Sequence, residues 1–293
     1  DHCRTGCDRF FYLACPVCHA ISLKEIADIP EKTMRHSSPL LRLIAMLVYA
    51  FLYIPLCIVI VFSFNDSKLN AEWVGFTLHW YQTLWHDHEM LLAVRNSLFI
   101  ACCASTSATI LGTMAGLAIH RYKLKVLPIL AFTPLAMPEI LLGVSLLLFY
   151  LQVLNLTLGL LSIILAHTTF CIGFVAIIVR ARLQGMDESI FEAARDLGAT
   201  PWQAFYHVTL PLIKPAIIAG ALMSFTLSID DFVITFFTKG IGEPILPIQI
   251  YTMIKVAVTP EVNAISTLLM LLTLTLIILA SRFDSSMLRD PSR

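Results

Sequence analysis

Long apolar runs dominate the chain, and polar residues gather in the intervals between them. The runs 43–64, 96–119 and 159–179 contain no Asp, Glu, Lys or Arg, and each reaches the ~20 residues that a helix needs to cross a bilayer. The runs 126–154 and 215–237 are also long enough but contain acids, and 264–281 is a shorter sixth. A membrane barrel would need ~10-residue segments of alternating polarity, and these runs do not alternate. The pattern predicts an all-α membrane protein of six transmembrane helices.

Composition agrees. Of 293 residues, 58% are hydrophobic and 14% charged, more apolar and less charged than ordinary soluble domains. Net charge is zero, so bulk charge singles out no partner, and nucleic acid is not among those expected. The distribution of charge is more telling. With both termini cytoplasmic, the inside from Met34 onward collects Arg35, Arg42, Arg121, Lys123, Lys125, Arg180, Arg182, Arg195, Lys214, Arg282, Arg289 and Arg293. The outside collects Lys68, Arg95, Lys239 and Lys255. Lys and Arg mark cytoplasmic loops, which orients the chain.

Residues 1–33 differ from the rest, and Met34 resembles an ordinary start just ahead of the first run. They read as an extension outside the working protein, followed by a transmembrane domain at 34–284 and a cytoplasmic tail at 285–293. A signal peptide fits less well, because Asp1 and Asp8 cancel Arg4 and Arg9. "CPVCH", Cys15 to His19, matches the C-x-x-C-H haem pattern, and Cys3, Cys7, Cys15 and Cys18 offer four thiolates. Haem attachment is extracytoplasmic chemistry, whereas the charges leave this segment inside. The gap between the cysteine pairs is short beside the ~12–20 residues usual for zinc. No metal is therefore expected. Cys57, Cys102, Cys103 and Cys171 lie in apolar runs and read as small buried hydrophobes.

The charged insert "SIFEAARDLGATPWQAFYHVTLP", 189–211, interrupts two apolar runs on the cytoplasmic side. Asp187 can cap a helix through Phe191, Glu192, Ala193 and Ala194 to Leu197, and Gly198 supplies the left-handed position that ends it. Thr200 then caps a second helix, with Pro201 in its first position and Gln203 completing a capping box. Pro211 and Pro215 mark re-entry into the membrane. Two short helices would display Ile190, Phe191, Trp202, Phe205 and Tyr206. A loop between spans can be as short as Asn155 to Leu158, and rigidly presented aromatics suit a protein partner.

The pattern E-A-A, three residues, G, nine residues, an aliphatic, one residue, L-P is carried by Glu192, Ala193, Ala194, Gly198, Val208, Leu210 and Pro211. It resembles the loop signature of integral-membrane subunits of ATP-binding-cassette importers, with Val208 where isoleucine is more usual. The resemblance, which runs from Met34 to Asp284, implies the type I importer permease fold in a bacterial inner membrane. It also implies that the loop, Trp202 included, docks into an ATPase subunit and transmits its closing motion. No G-x-x-x-x-G-K-[ST] phosphate loop occurs. ATP and magnesium would accordingly sit on the partner, this chain would bind no cofactor of its own, and it would not be an enzyme.

Acids inside apolar runs point to cargo, since a carboxylate in lipid is costly and faces a cavity. Glu139 falls near the middle of the third run, beside Pro134 and Pro138. Asp230 and Asp231 fall in the outer half of the fifth. Adjacent helical residues point about 100° apart, so at most one of the two faces a narrow path squarely; the other caps, pairs, or meets Ser224, Thr226 or Ser228. No buried Lys or Arg answers these acids, which suits a cationic substrate. His167 reads as a hydrogen-bonded structural histidine rather than a proton relay. Gly112 and Gly116 form a G-x-x-x-G packing signal.

"SFTLSIDDF" at 224–232, "IKVAVTPEVNA" at 254–264 and "VFSFNDSKLN" at 61–70 are similar to the second permease subunit of spermidine/putrescine importers. The implied path is lined by Glu139, Asp230, Asp231 and Ser224. The implied partners are a second, homologous permease, two ATPase subunits and an external polyamine-binding protein. Two other readings stand beside this one. A permease for iron, sulfate or phosphonate would share the loop signature, although an oxyanion calls for basic or amide-rich walls. A haem-bearing electron carrier on Cys15, Cys18 and His19 would need residues 1–33 on the outer side.

Overall fold

The computed structural model describes residues 39–67, 72–122, 126–186, 188–256 and 259–287. The extension 1–33 with its cysteines, the cap Asp187 and the residues after 287 lie outside them. The chain divides into two compact units, Asp1–Cys57 and Ile58–Arg293. Helix α1, Pro39–Phe62, carries the first apolar run.

The second unit continues with α2 (His79–His86), α3 (His88–Tyr122), α4 (Val126–Ala136) and α5 (Glu139–Leu148), the last extended by a π turn at Phe149–Val153. Then come α6 (Leu160–Gln184), α7 (Glu188–Asp196), α8 (Pro201–Asp230), α9 (Val233–Thr238), α10 (Leu246–Val256) and α11 (Pro260–Met287).

Among the described residues, Leu43–Phe62, α3, α6 and α8 are each long and apolar enough to cross a membrane. The third run is not one straight helix. Its halves α4 and α5 meet at 108°, because proline at 138 drives Met137 out of helical conformation and supplies no N–H of its own. The fifth run also breaks. Its helix ends at Asp230, and Asp231 turns extended with ψ 118° before α9 begins. The last run forms α11, whose apolar part is the shorter stretch Pro260–Leu276.

Small residues set the packing. Ala93, Ser97, Ala101, Ala104, Ala108, Gly112 and Gly116 recur at helical spacing along α3 and are all buried. A Cβ on Gly112 would lie 2.6 Å from Val175 Cβ, and one on Gly116 would lie 3.2 Å from Val179 Cβ. The equal offsets show α3 and α6 running parallel in close contact, the geometry that small-xxx-small stripes permit. Helix α8 lies antiparallel to α6. His167 meets Ser228 and Cys171 meets Ser224, while Val175 meets Gly220. These pairs step by one helical turn along the seam.

Asn65 organises the segment after α1. It is fully buried; its Nδ2 donates to Glu72 O at 2.7 Å, and its Oδ1 accepts the Val74 N–H at 2.9 Å. The indole of Trp80 donates to its carbonyl at 2.8 Å. One amide thus satisfies a turn whose backbone would otherwise lack partners.

Candidate functional site

The insert starts with α7, which ends in a Schellman motif. Ala199 N–H reaches Ala194 O at 3.1 Å and Gly198 N–H reaches Arg195 O at 2.9 Å, and Gly198 takes φ +90°, a value costly for any side chain. Thr200 caps the next helix: its hydroxyl accepts the Gln203 N–H at 3.3 Å, and the Gln203 Oε1 accepts the Thr200 N–H at 2.9 Å. The expected short second helix differs in one respect. It does not stop at Pro211 but continues unbroken to Asp230. A π turn at Phe205–Thr209, closed by Leu210 N–H to Phe205 O, carries it past Pro211. The wider i→i+5 turn accommodates the donor missing at Pro211, whereas Pro215 lies within the α ladder that follows.

Glu192 and Ala193 are exposed, Ala194 is half-buried, Leu210 is half-buried and Pro211 is exposed. Leu197 and Trp202 stand out at 90% and 73% exposure, with Ile190 and Tyr206 beside them in sequence and also exposed. Ala204 is buried, and Trp202 rests on Phe205 at 5.7 Å between ring centroids. One further contact has no signature in the chain: the Arg121 guanidinium, at the end of α3, lies 5.8 Å from the centre of the Phe191 ring on α7.

The acids gather where two helices are interrupted. Glu139 opens α5 directly after the 108° bend, and Asp230 closes α8. Both are exposed, and they lie within Coulombic range of each other. Helices α5 and α9 pack closely here, since a Cβ on Gly143 would come 2.7 Å from the Phe237 ring. Asp230 sits at a helix C-terminus, where unpaired carbonyls add partial negative charge to its own.

Asp231 and Ser224 are placed differently. Ser224 is wholly buried, its carbonyl accepting from Cys171 Sγ at 3.6 Å. The Asp231 side chain is only 7% exposed, and its Oδ2 lies 3.3 Å from His167 Nε2. The same oxygen accepts the Thr235 N–H at 2.8 Å and the Thr235 hydroxyl at 3.1 Å. Among the described residues no Lys or Arg forms an ion pair with Asp230, Asp231 or Glu139. Thr235 was not singled out by sequence, although its place four residues after Asp231 is the helical spacing that such a bond needs. No cluster of three metal-ligating side chains occurs among the described residues.

Residues 108–288 match the family described as "Binding-protein-dependent transport system inner membrane component". The chain is 42% identical over 234 residues to the spermidine/putrescine transport system permease protein PotC of Escherichia coli (strain K12), covering 79% of this chain and 88% of that protein. It is 43% identical over 242 residues to the putrescine transport system permease protein PotI of the same strain, covering 80% and 86%. Among solved structures, a bacterial ABC transporter involved in the import of the acidic polysaccharide alginate superposes with a TM-score of 0.65 at 15% identity, over 84% of this chain and 94% of that one. The MetNI methionine ABC transporter superposes at 0.57 with 19% identity, over 70% and 97%. At such identities the structures speak for the fold alone.

Proposed function

Because the chain belongs to the family of binding-protein-dependent transport system inner membrane components, a transport family rather than an enzyme family, we propose that it forms half of the path by which an ATP-driven importer admits spermidine or putrescine. The single observation that carries the cargo assignment is the exposed Asp230. It closes α8 within Coulombic range of Glu139, and among the described residues no Lys or Arg forms an ion pair with either acid. A carboxylate at the negative end of a helix, within Coulombic range of a second carboxylate, favours an ammonium group and repels an oxyanion. The relatives named for polyamines support this reading.

In the complete importer a second permease would supply the other half of the path, two ATPases would engage the insert, and an external binding protein would deliver cargo. Six membrane crossings, with α4–α5 as a broken one and α11 as the last, would put both termini in the cytoplasm. Closure of the ATPases would push on Ile190, Leu197, Trp202 and Tyr206. Because α8 runs unbroken from Pro201 to Asp230, a displacement at its cytoplasmic end would be carried along one rigid rod to the acid site. ATP and magnesium would remain on the ATPase.

The test is uptake of radiolabelled spermidine and putrescine by the assembled complex in cells lacking other importers. Wild type should accumulate polyamine, and Asp230→Asn should lose most of that uptake at matched membrane levels. Uptake unaffected by Asp230→Asn would overturn the acidic path. A complex that hydrolyses ATP but moves no polyamine would overturn the cargo.

A further inference from the structure

The polar network around His167 carries a consequence for which of the paired acids meets cargo. His167 is 1% exposed, in the first third of α6. Its Nδ1 lies 2.7 Å from the Ser228 hydroxyl, in the last turn of α8, before the break. Its Nε2 lies 3.0 Å from the Thr235 hydroxyl, in the first turn of α9, after the break. The same Nε2 is 3.3 Å from Asp231 Oδ2, within the break itself. One imidazole therefore touches both sides of the interruption and its connecting residue.

The donors and acceptors form a consistent set. The Asp231 oxygen can only accept, and it takes the N–H and O–H of Thr235. With the Thr235 hydroxyl proton directed to Asp231, its lone pairs are free to accept from His167 Nε2–H. His167 Nδ1 is then left to exchange a hydrogen bond with Ser228. Every polar side chain in the group has a partner, which is what a buried network needs to hold one geometry. Backbone geometry follows from it. With Asp231 turned inward, the neighbouring Asp230, about 100° away around the helix, is turned outward and exposed.

We propose that His167 is the positioning residue of the cation site: it clamps Ser228 to Asp231 and Thr235 across the helix break, withdraws the Asp231 carboxylate from cargo, and so presents Asp230 as the one acid of the pair that an ammonium group meets. This rests on the reading of Asp230 as a cation-binding residue. The two carboxylates have separate tasks although they are adjacent in sequence. Asp230 faces the substrate, whereas Asp231 belongs to the scaffold. Asp230, and Glu139 through it, act on the clamp by charge alone; the hydrogen bonds to the imidazole come from Ser228 and Thr235.

The test is spermidine uptake kinetics and basal ATP hydrolysis in proteoliposomes holding the complete transporter. The variants are Asp230→Asn, Asp231→Asn, His167→Leu, His167→Gln, Thr235→Val, and the pairs of His167→Leu with each Asp variant. His167→Leu should raise KM for spermidine by about tenfold, as expected for one buried hydrogen-bond group left unpaired, with uptake compared per complex that still hydrolyses ATP. His167→Gln, which keeps a donor on the long side chain, should recover part of the loss. His167→Leu with Asp231→Asn should be no worse than the poorer single variant, while His167→Leu with Asp230→Asn should multiply. If His167→Leu does not assemble, Thr235→Val cuts the same clamp by one methyl-for-hydroxyl exchange and should show the same KM shift. An unchanged KM in Thr235→Val, or independent effects of His167→Leu and Asp231→Asn, overturns the proposal while leaving the cation site intact. Unimpaired uptake by Asp230→Asn overturns the cation site itself, an outcome that the His167 variants do not produce.

Discussion

Arg121 reaches from the end of α3 to the ring of Phe191 on α7, with 5.8 Å between the guanidinium carbon and the ring centroid. It ties the insert to a helix other than the one into which the insert continues. Movement of α7 would thus be felt by α8 through the chain and by α3 through this contact.

At an exposed site a cation–π contact is worth about 0.5–1 kcal/mol, so its loss should loosen the joint without dismantling it. Arg121→Gln is expected to lower polyamine moved per ATP hydrolysed by a factor of about two to five, with Arg121→Lys nearer wild type. The ratio of the two fluxes in proteoliposomes measures it. A ratio unchanged in Arg121→Gln would show that α3 takes no drive from α7.

The α3–α6 seam makes a graded prediction. A Cβ at Gly112 would meet Val175 Cβ at 2.6 Å and Ile172 O at 2.8 Å, whereas one at Gly116 would meet Ala176 O at 3.0 Å and Val179 at 3.2 Å. Backbone and Cβ atoms cannot swing aside as a side-chain tip can. Overpacking of this kind costs about 1–3 kcal/mol. Gly112→Ala should therefore melt the detergent-solubilised complex well below wild type, and Gly116→Ala should fall between the two. Equal melting of both variants would contradict the close approach.

The turn between α7 and α8 can be probed by its caps. Thr200→Ala removes the acceptor for the Gln203 N–H and should cost about 1 kcal/mol, while Thr200→Ser should keep most of it. Gly198→Ala places a side chain at φ +90°, at roughly 1–2 kcal/mol. Amide hydrogen exchange across 196–205 should speed up about fivefold in Thr200→Ala. Exchange that speeds up throughout α8 instead would mean that the turn and the span unfold as one unit.

Much of this was legible in the sequence because it is local. The Gly198 stop and the Thr200–Gln203 box depend on residues three or four apart, and Gly112 with Gly116 announced a close helix contact before its partner, α6, was known. What sequence reading lost was continuity. Pro211 and Pro215 look like stops, yet the helix runs through both, by a π turn at Phe205–Thr209 just before Pro211 and as an α ladder around Pro215. The third run reads as one stretch long enough to span, yet the chain turns by 108° at Pro138. The different placements of Asp230, exposed, and Asp231, buried against His167, were undecidable from their adjacency, because His167 lies some sixty residues away in the chain.

The relation between Glu139 and Asp230 makes the last prediction. Without cargo, two carboxylates within Coulombic range repel each other. An ammonium between them relieves that repulsion and gains from both. If both acids serve one ammonium, neutralising either removes part of a shared interaction, and the second neutralisation removes less than it would alone. Glu139→Gln and Asp230→Asn should therefore each raise KM for putrescine by about tenfold or more, with the double variant falling short of the product by at least about threefold. If each acid serves a different ammonium of one polyamine, the effects multiply in full. Uptake kinetics of the two single variants and the pair, with ATP hydrolysis as the control for assembly, separate one shared site from two successive ones.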